Sequence, residues 1–161
     1  MSLLDAHGAD SAERAALLAL NNAHATELST LTPARFDSLL ENAWLALAAT
    51  DASALLLAFH QSATYDSPNF LWFRTRLTRF AYIDRIVVVA GARRRGIARE
   101  MYAAVLERAS AEGLDWLCCE VNLDPPNPSS SAFHAALGFA EMGRAILANG
   151  RAVRYLARSI R

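Results

Sequence analysis

The sequence contains no lysine: all 16 of its basic residues are arginine, and 16 carboxylates cancel their charge. Without a lysine there is no Walker lysine, which argues against a phosphate-loop nucleoside triphosphatase. Without net charge there is no broad field of the kind that draws a protein onto nucleic acid or an anionic membrane, so any basic site must be local. Long apolar runs are missing too. No stretch of about eighteen apolar residues occurs, and Met1 to Asp10 has neither the basic start nor the apolar segment of a signal peptide. The expected location is therefore the cytoplasm, with no membrane partner. Cysteine is scarce: Cys118 and Cys119 are neighbours on a predicted strand, where successive side chains point to opposite faces and do not pair. Reduced thiols are expected.

What the chain has is apolar bulk. Of its 161 residues 53% are hydrophobic, enough to bury one core without disulfides or a structural metal. Residues 1–12 show no period and are expected to form a flexible arm before a single domain over residues 13–161. Arg14 to Leu20 suits a helix by composition but is short and ends at Asn21-Asn22; we read it as an edge strand. Thr32-Pro33 supplies an N-cap and a first-turn proline, which predicts a helix to about Asn42. Trp44–Ala49 and Ala54–Phe59, separated by Thr50 to Ser53, predict a hairpin. Gln61 to Arg79 is too long for a turn and too aromatic for a linker, and is expected to be a loop covering a site. Tyr82–Val89, rich in β-branched residues, predicts a central strand. From Gly96 onward Ile97, Met101, Val105 and Ala109 recur at helical spacing up to Gly113. Asp115–Asn122 predicts a strand, Pro128–Leu137 a short helix capped by Asn127, and Phe139–Leu147 with Arg151–Ala157 a hairpin. Asn149-Gly150 at its tip favours a type I′ turn.

The chemistry gathers between Val87 and Ala98, where a basic, glycine-containing loop joins a buried strand to a helix N-terminus. Free backbone N–H groups in the first helical turn and the helix dipole stabilise a phosphate there. Gly96 lets the backbone come close, and Arg93, Arg94, Arg95 and Arg99 add charge. The competing view is a solvated run of arginines with Gly96 merely opening the helix. Aromatic side chains are absent between Arg93 and Arg99, which argues against single-stranded nucleic acid as the partner.

The segment Val88 to Ala98 resembles the acetyl-CoA signature of the GNAT superfamily of N-acetyltransferases, whose core Arg/Gln-x-x-Gly-x-Gly/Ala is matched by Arg93, Gly96 and Ala98. Downstream, Asn127, Ser130, Phe133, His134, Gly138 and Phe139 resemble the family's Asn-x-x-Ala-x-x-Leu-Tyr-x-x-x-Gly-Phe. The likeness runs from about Trp44 to Tyr155. It implies an α/β domain with a mixed, mostly antiparallel sheet of about six to seven strands, flanked by about four helices. The two central strands would splay to admit the pantetheine arm. The cofactor is then acetyl-CoA, held by Ile86, Val87, Val88, Val89, Arg93, Arg94, Arg95, Gly96, Ile97, Ala98, Arg99, Asn127, Ser130, Phe133 and His134. The N–H of Val88 would face the thioester oxygen.

An amine acceptor must lose a proton before it attacks, so a base is needed. Glu120-Val121 resembles the Glu-Val pair that supplies the base in bacterial ribosomal-protein N-acetyltransferases, although its spacing to Asn127 is longer; Glu120 is either that base or a hydrogen-bonding strand residue. Asp84, expected on one strand face with Tyr82, Ile86 and Val88, is a second candidate or else half of a buried ion pair. His134 stands where the family usually offers the tyrosine that protonates the departing thiolate; it either donates in its place or packs against the cofactor. Asn127 has a sufficient explanation as a helix cap, compatible with a cofactor contact. Asn22, Tyr65, Asp66, Trp72, Tyr82 and Asn122 are expected to line the acceptor pocket, with Asn21 and His24 nearby. The implied activity is transfer of an acetyl group to a primary amine, on a small molecule or peptide, by direct attack in a ternary complex, because neither cysteine has a partner to activate it. An acyl-CoA-binding module with little turnover is the alternative, and pairing of two copies through the C-terminal strands is a further implication. No metal site is expected.

Overall fold

The computed structural model describes residues 2–24 and 28–161. Among them, seven strands form one sheet in the order β1-β2-β3-β4-β5-β7-β6: β1 (Leu3–Asp5), β2 (Leu45–Ala49), β3 (Ala54–His60), β4 (Phe80–Val88), β5 (Trp116–Asn122), β6 (Ala140–Ile146) and β7 (Ala152–Ser159). All neighbours are antiparallel except β4 and β5. Five α-helices cover it: α1 (Ser11–Asn22), α2 (Pro33–Asn42), α3 (Pro68–Arg74), α4 (Ile97–Ala111) and α5 (Pro128–Ala136).

Both sheet faces are covered, which is why β3 reads as an unbroken apolar run. Leu55, Leu57 and Phe59 pack with Val87 against Leu17 and Leu20 of α1 and Phe36, Leu39 and Leu40 of α2. On the opposite face Leu56 and Ala58 join Ile83, Leu117 and Val121 against Ile97, Met101, Tyr102, Val105 and Ala109 of α4. A third cluster holds Phe70 and Phe73 of α3 against Phe80, Tyr82, Val153 and Tyr155.

Four local expectations need correction. The stretch from Arg14 to Leu20 is part of helix α1 and not an edge strand. Its start is set by a reciprocal capping box: Asp10 Oδ1 accepts from the Glu13 N–H at 2.9 Å, and Glu13 Oε2 accepts from the Asp10 N–H at 2.8 Å. Because the box lies before Arg14, the alanine- and leucine-rich stretch taken alone does not reveal it. Residues 3–5, expected within a flexible arm, pair with β2, and Ala6 behind them is fully buried. The span from Gln61 to Arg79 is not loop throughout, since Ser67 and Pro68 open α3, which buries Phe70 and Phe73. The tip of the last hairpin is not type I′. Gly150 takes φ +84 while Asn149 is absent from the positive-φ residues; the Asn149 side chain accepts from the Arg151 N–H at 2.9 Å, and Gly150 N–H donates to the Leu147 carbonyl at 2.8 Å. This is a three-residue loop with a left-handed glycine.

Two features of β4 position the site. Its parallel pairing with β5 covers only Phe80, Ala81 and Tyr82 against Trp116, Leu117 and Cys118, and beyond this point the strands diverge. The register with β3 also slips: Leu57 faces Arg85 while Ala58 faces Ile83, so Asp84 is the extra residue of a bulge. The bulge breaks the two-residue period. Ala81, Ile83, Ile86 and Val88 all pack towards α4, whereas Tyr82 faces the α3 cluster. Asp84 therefore does not share a face with Ile86 and Val88.

Candidate active site: a cleft between splayed strands

Where β4 and β5 part, one strand edge is left without a partner. The Val89 N–H donates to the Ser53 carbonyl at 2.8 Å. Antiparallel alternation then turns the N–H groups of Val87 and Val89 towards β3 and those of Ile86 and Val88 towards the gap. Arg93 Nε donates to the Val88 carbonyl at 3.2 Å and ties the following loop to this edge. The loop holds Arg94 at φ +65, uncommon for a side-chain-bearing residue, and then Gly96 at φ +81. A Cβ on Gly96 would stand in open space, so backbone conformation alone demands glycine there. Helix α4 starts at this point with no side-chain cap, its first ladder bond running from the Glu100 N–H to the Gly96 carbonyl at 2.9 Å. The first-turn N–H groups thus face a groove of about 570 Å³ lined by Ile86, Val88, Arg93, Arg94, Gly96, Ala98 and Arg99, and by Asn127, Ser130, Phe133 and His134 across it. An anion fits this end of the groove on dipole and charge together.

The groove continues between the diverging strands. A cavity of about 310 Å³ shares Ile86, Asn127, Ser130 and His134 with it and reaches Asp84, Tyr102, Cys119, Glu120 and Asn122. A third cavity of about 350 Å³ shares Asp84, Arg85, Glu120 and Asn122 with the second and is walled by Tyr65, Asn69, Leu147 and Arg151. One path therefore runs from the α4 terminus, past Glu120, to the opposite side of the sheet.

Glu120 sits at the junction. Tyr82 Oη donates to its Oε2 at 2.6 Å and Asn69 Nδ2 to its Oε1 at 3.0 Å, and Tyr155 Oη orients the amide through Asn69 Oδ1 at 2.8 Å. Burial pushes the carboxyl up to about 8 and the negative charge of Asp84 adds to this, while the donated hydrogen bonds partly oppose the rise. Asp84 is fully engaged. It pairs with Arg85 at 2.7 Å, the two side chains being 5% and 6% exposed, and accepts from Tyr65 Oη at 2.7 Å. Arg85 in turn donates to Asn21 Oδ1 at 2.9 Å.

His134 is held from both sides. Its Nδ1 lies 2.7 Å from the Ser130 carbonyl and its Nε2 2.7 Å from Tyr102 Oη. Burial pushes the ring below its ordinary value, so it is neutral near pH 7. Asn127 caps α5, accepting from the Ser130 N–H at 3.1 Å. The Cys118 and Cys119 thiols are pushed up by burial, which makes them poor nucleophiles.

Several residues expected at the site stand elsewhere. Arg95 is exposed and is not among the groove's lining. Val89 is exposed, with its N–H spent on Ser53. Asn22 braces the chain before α2, donating to the Leu31 carbonyl at 3.0 Å and accepting from the Leu31 N–H at 2.9 Å. Asp66 forms an exposed pair with Arg35 at 3.1 Å. Trp72 stacks on Tyr155 at 4.1 Å and lies against Gly143. Tyr65, Tyr82 and Asn122 do meet at the Glu120 junction. Asn69, Arg85, Tyr102 and Tyr155 join them without a sequence signal, because each acts through a contact between distant elements.

The sequence matches the family model described as Acetyltransferase (GNAT) family over residues 39–139. No curated protein matches it. Among solved structures, an aminoglycoside 6′-N-acetyltransferase complexed with coenzyme A superposes with a TM-score of 0.75 at 12% identity, covering 100% of this chain and 98% of that one. The ribosomal-protein-S18-alanine N-acetyltransferase from Escherichia coli gives 0.69 at 17% identity, covering 99% and 93%. Ard1 from Thermoplasma volcanium gives 0.73 at 14%, covering 98% and 96%. These likenesses concern the fold, and with the match of the family model across the strand–loop–helix cleft they place the chain in the GNAT acetyltransferase family.

Proposed function

We propose that this protein transfers an acetyl group from acetyl-CoA to a primary amine by direct attack in a ternary complex. The observation that carries the proposal is the continuous cleft, with the uncapped start of α4 at one end and, at the junction of its cavities, a carboxyl raised to about 8. Acetyl-CoA supplies the activated acetyl group. The first-turn amides of α4, with Arg94 and Arg99, hold the pyrophosphate; the edge of Ile86 and Val88 guides the pantetheine, faced by Asn127, Ser130 and Phe133. The Val88 N–H opposes charge on the thioester oxygen. Glu120 takes the proton from the amine, which arrives from the side of Tyr65, Asn69 and Asn122. Buried, protonated cysteines support direct attack over an acyl-enzyme. The acceptor class extends to small molecules and peptide termini.

The Arg94→Ala, Arg99→Ala double variant tests the cofactor end. Charge-assisted contacts at a partly exposed site predict an apparent KM for acetyl-CoA raised about 10- to 30-fold, against about twofold or less for the amine. Arg95→Ala serves as the control and should leave both within about twofold. Equal effects on the two substrates would overturn the pyrophosphate assignment. Binding of acetyl-CoA without thioester turnover across an amine panel would leave an acyl-CoA-binding module instead.

Location in a reducing cytoplasm belongs to the same proposal, and no helix among the described residues is long and apolar enough to cross a membrane. Pairing of two copies along the outer edge of β6, where Met142 and Ile146 are 40% and 79% exposed, completes it. Light scattering should then return twice the 17.5 kDa chain mass; a single-chain mass would remove the dimer.

A further inference from the structure

Tyr102 interrupts the apolar stripe of α4 with a hydroxyl, although it is only 1% exposed. A phenol so enclosed needs a partner, and it has one in His134 Nε2 at 2.7 Å. The direction of that bond follows from the far side of the ring. His134 Nδ1 lies 2.7 Å from the Ser130 carbonyl, which can only accept, so Nδ1 carries the single proton of the neutral imidazole. Nε2 is then an acceptor and Tyr102 Oη the donor. His134 consequently has no proton to offer the cleft, whereas the phenol it steers lines the central cavity with Ile83, Cys119 and Glu120.

We propose that the Tyr102 hydroxyl, aimed by His134, is the hydrogen-bond donor to the coenzyme A sulfur as the acetyl group departs. This rests on the acetyl-transfer reading above and assigns its leaving-group side. As the amine nitrogen bonds to the acetyl carbon, the carbon–sulfur bond breaks and its electron pair stays on sulfur, while the proton of the amine passes to Glu120. The Tyr102 O–H rotates from Nε2 towards the sulfur and keeps its proton; the thiolate later takes one from solvent. Burial holds the phenol well above its ordinary value, in keeping with a donor that does not ionise. His134 on α5 and Cys119 and Glu120 on β5 are the titratable groups around the hydroxyl, and Arg154 on β7 acts on His134. His134 is a positioning residue in this scheme.

The test compares coenzyme A with desulfo-coenzyme A, which lacks only the sulfur, by calorimetry on the whole protein at pH 7 and pH 9.5. A hydrogen bond to a thiolate favours the ionised ligand, so the preference for coenzyme A should rise about tenfold more in wild type than in Tyr102→Phe across this range. Desulfo-coenzyme A should bind both proteins within about twofold, since the variant removes nothing it touches. An equal rise in the two proteins would overturn the assignment. Should Tyr102→Phe not fold, Tyr102→Met supplies a second side chain without a hydroxyl at the same helical position. A rise about tenfold smaller than that of wild type supports the proposal there and a rise equal to it overturns the proposal. Failure of wild type to bind either ligand would instead sink the acetyl-transfer reading itself, which separates the two outcomes.

Discussion

Glu120→Gln is expected to lower kcat by about 10²- to 10⁴-fold, the usual share of a general base, while leaving the KM for acetyl-CoA near its wild-type value. The pH profile provides the sharper readout. With its carboxyl held at about 8, Glu120 is protonated and inactive as a base below that point, so the wild-type rate should climb as pH rises through it and then level. The variant should lose this limb, and an unaltered profile would hand the role to Asp84 or to water. The same shift has a consequence for folding. The folded-state value lies above the unfolded one, so between the ordinary carboxylate range and about pH 8 the folded chain binds the proton more tightly than the unfolded chain. The contribution of Glu120 to stability is therefore fully present at low pH and declines as pH rises through this window. Glutamine does not titrate, so the variant should melt higher than wild type at pH 8, and the gap should close on acidification. Gain of stability with loss of turnover in one substitution would mark a residue retained for chemistry.

Asp84→Asn is expected to destabilise the fold by about 3–5 kcal/mol, because it leaves the Arg85 guanidinium buried without its counter-charge. For a chain of this size that lowers Tm by roughly 6–20 °C in a thermal melt. Arg85 also holds Asn21, whose amide donates to the Ser29 carbonyl at 3.1 Å, so the tie between α1 and Ser29 should loosen as well. Well below its melting temperature the variant should keep kcat within about fivefold of wild type, as a supporting ion pair predicts. A loss of rate comparable to that of Glu120→Gln with an unchanged Tm would reverse the two roles.

The contrast between these carboxylates shows what could be seen in advance. Both were candidate bases, and the strand period placed Asp84 on one face with Ile86 and Val88. The bulge against Leu57 and Ala58 moves it to the other face, beside Arg85. A bulge is a property of two strands in register and leaves no mark on either one alone. His134 shows the same limit. Its departure from the family's tyrosine was plain in the sequence, but the hydroxyl it receives comes from Tyr102, 32 residues away. Within the helical pattern Tyr102 was one more apolar position.

By itself the sequence determined the elements with strong local codes. The Thr32-Pro33 start of α2, the apolar stripe of α4, the Asn127 cap and the Arg93 to Ala98 loop are set by neighbours within a turn or two, and the structure bears out each as an element. Tertiary structure alone decided which side chains meet. It left Arg95 exposed outside the groove, gave Asn22 and Trp72 to bracing and stacking, and gathered Tyr82, Asn69 and Tyr155 around Glu120. The physical reason is that helix starts and amphipathic stripes arise from short-range geometry, whereas a shifted carboxyl and a steered hydroxyl arise from burial and from partners that only the folded sheet brings within hydrogen-bonding distance.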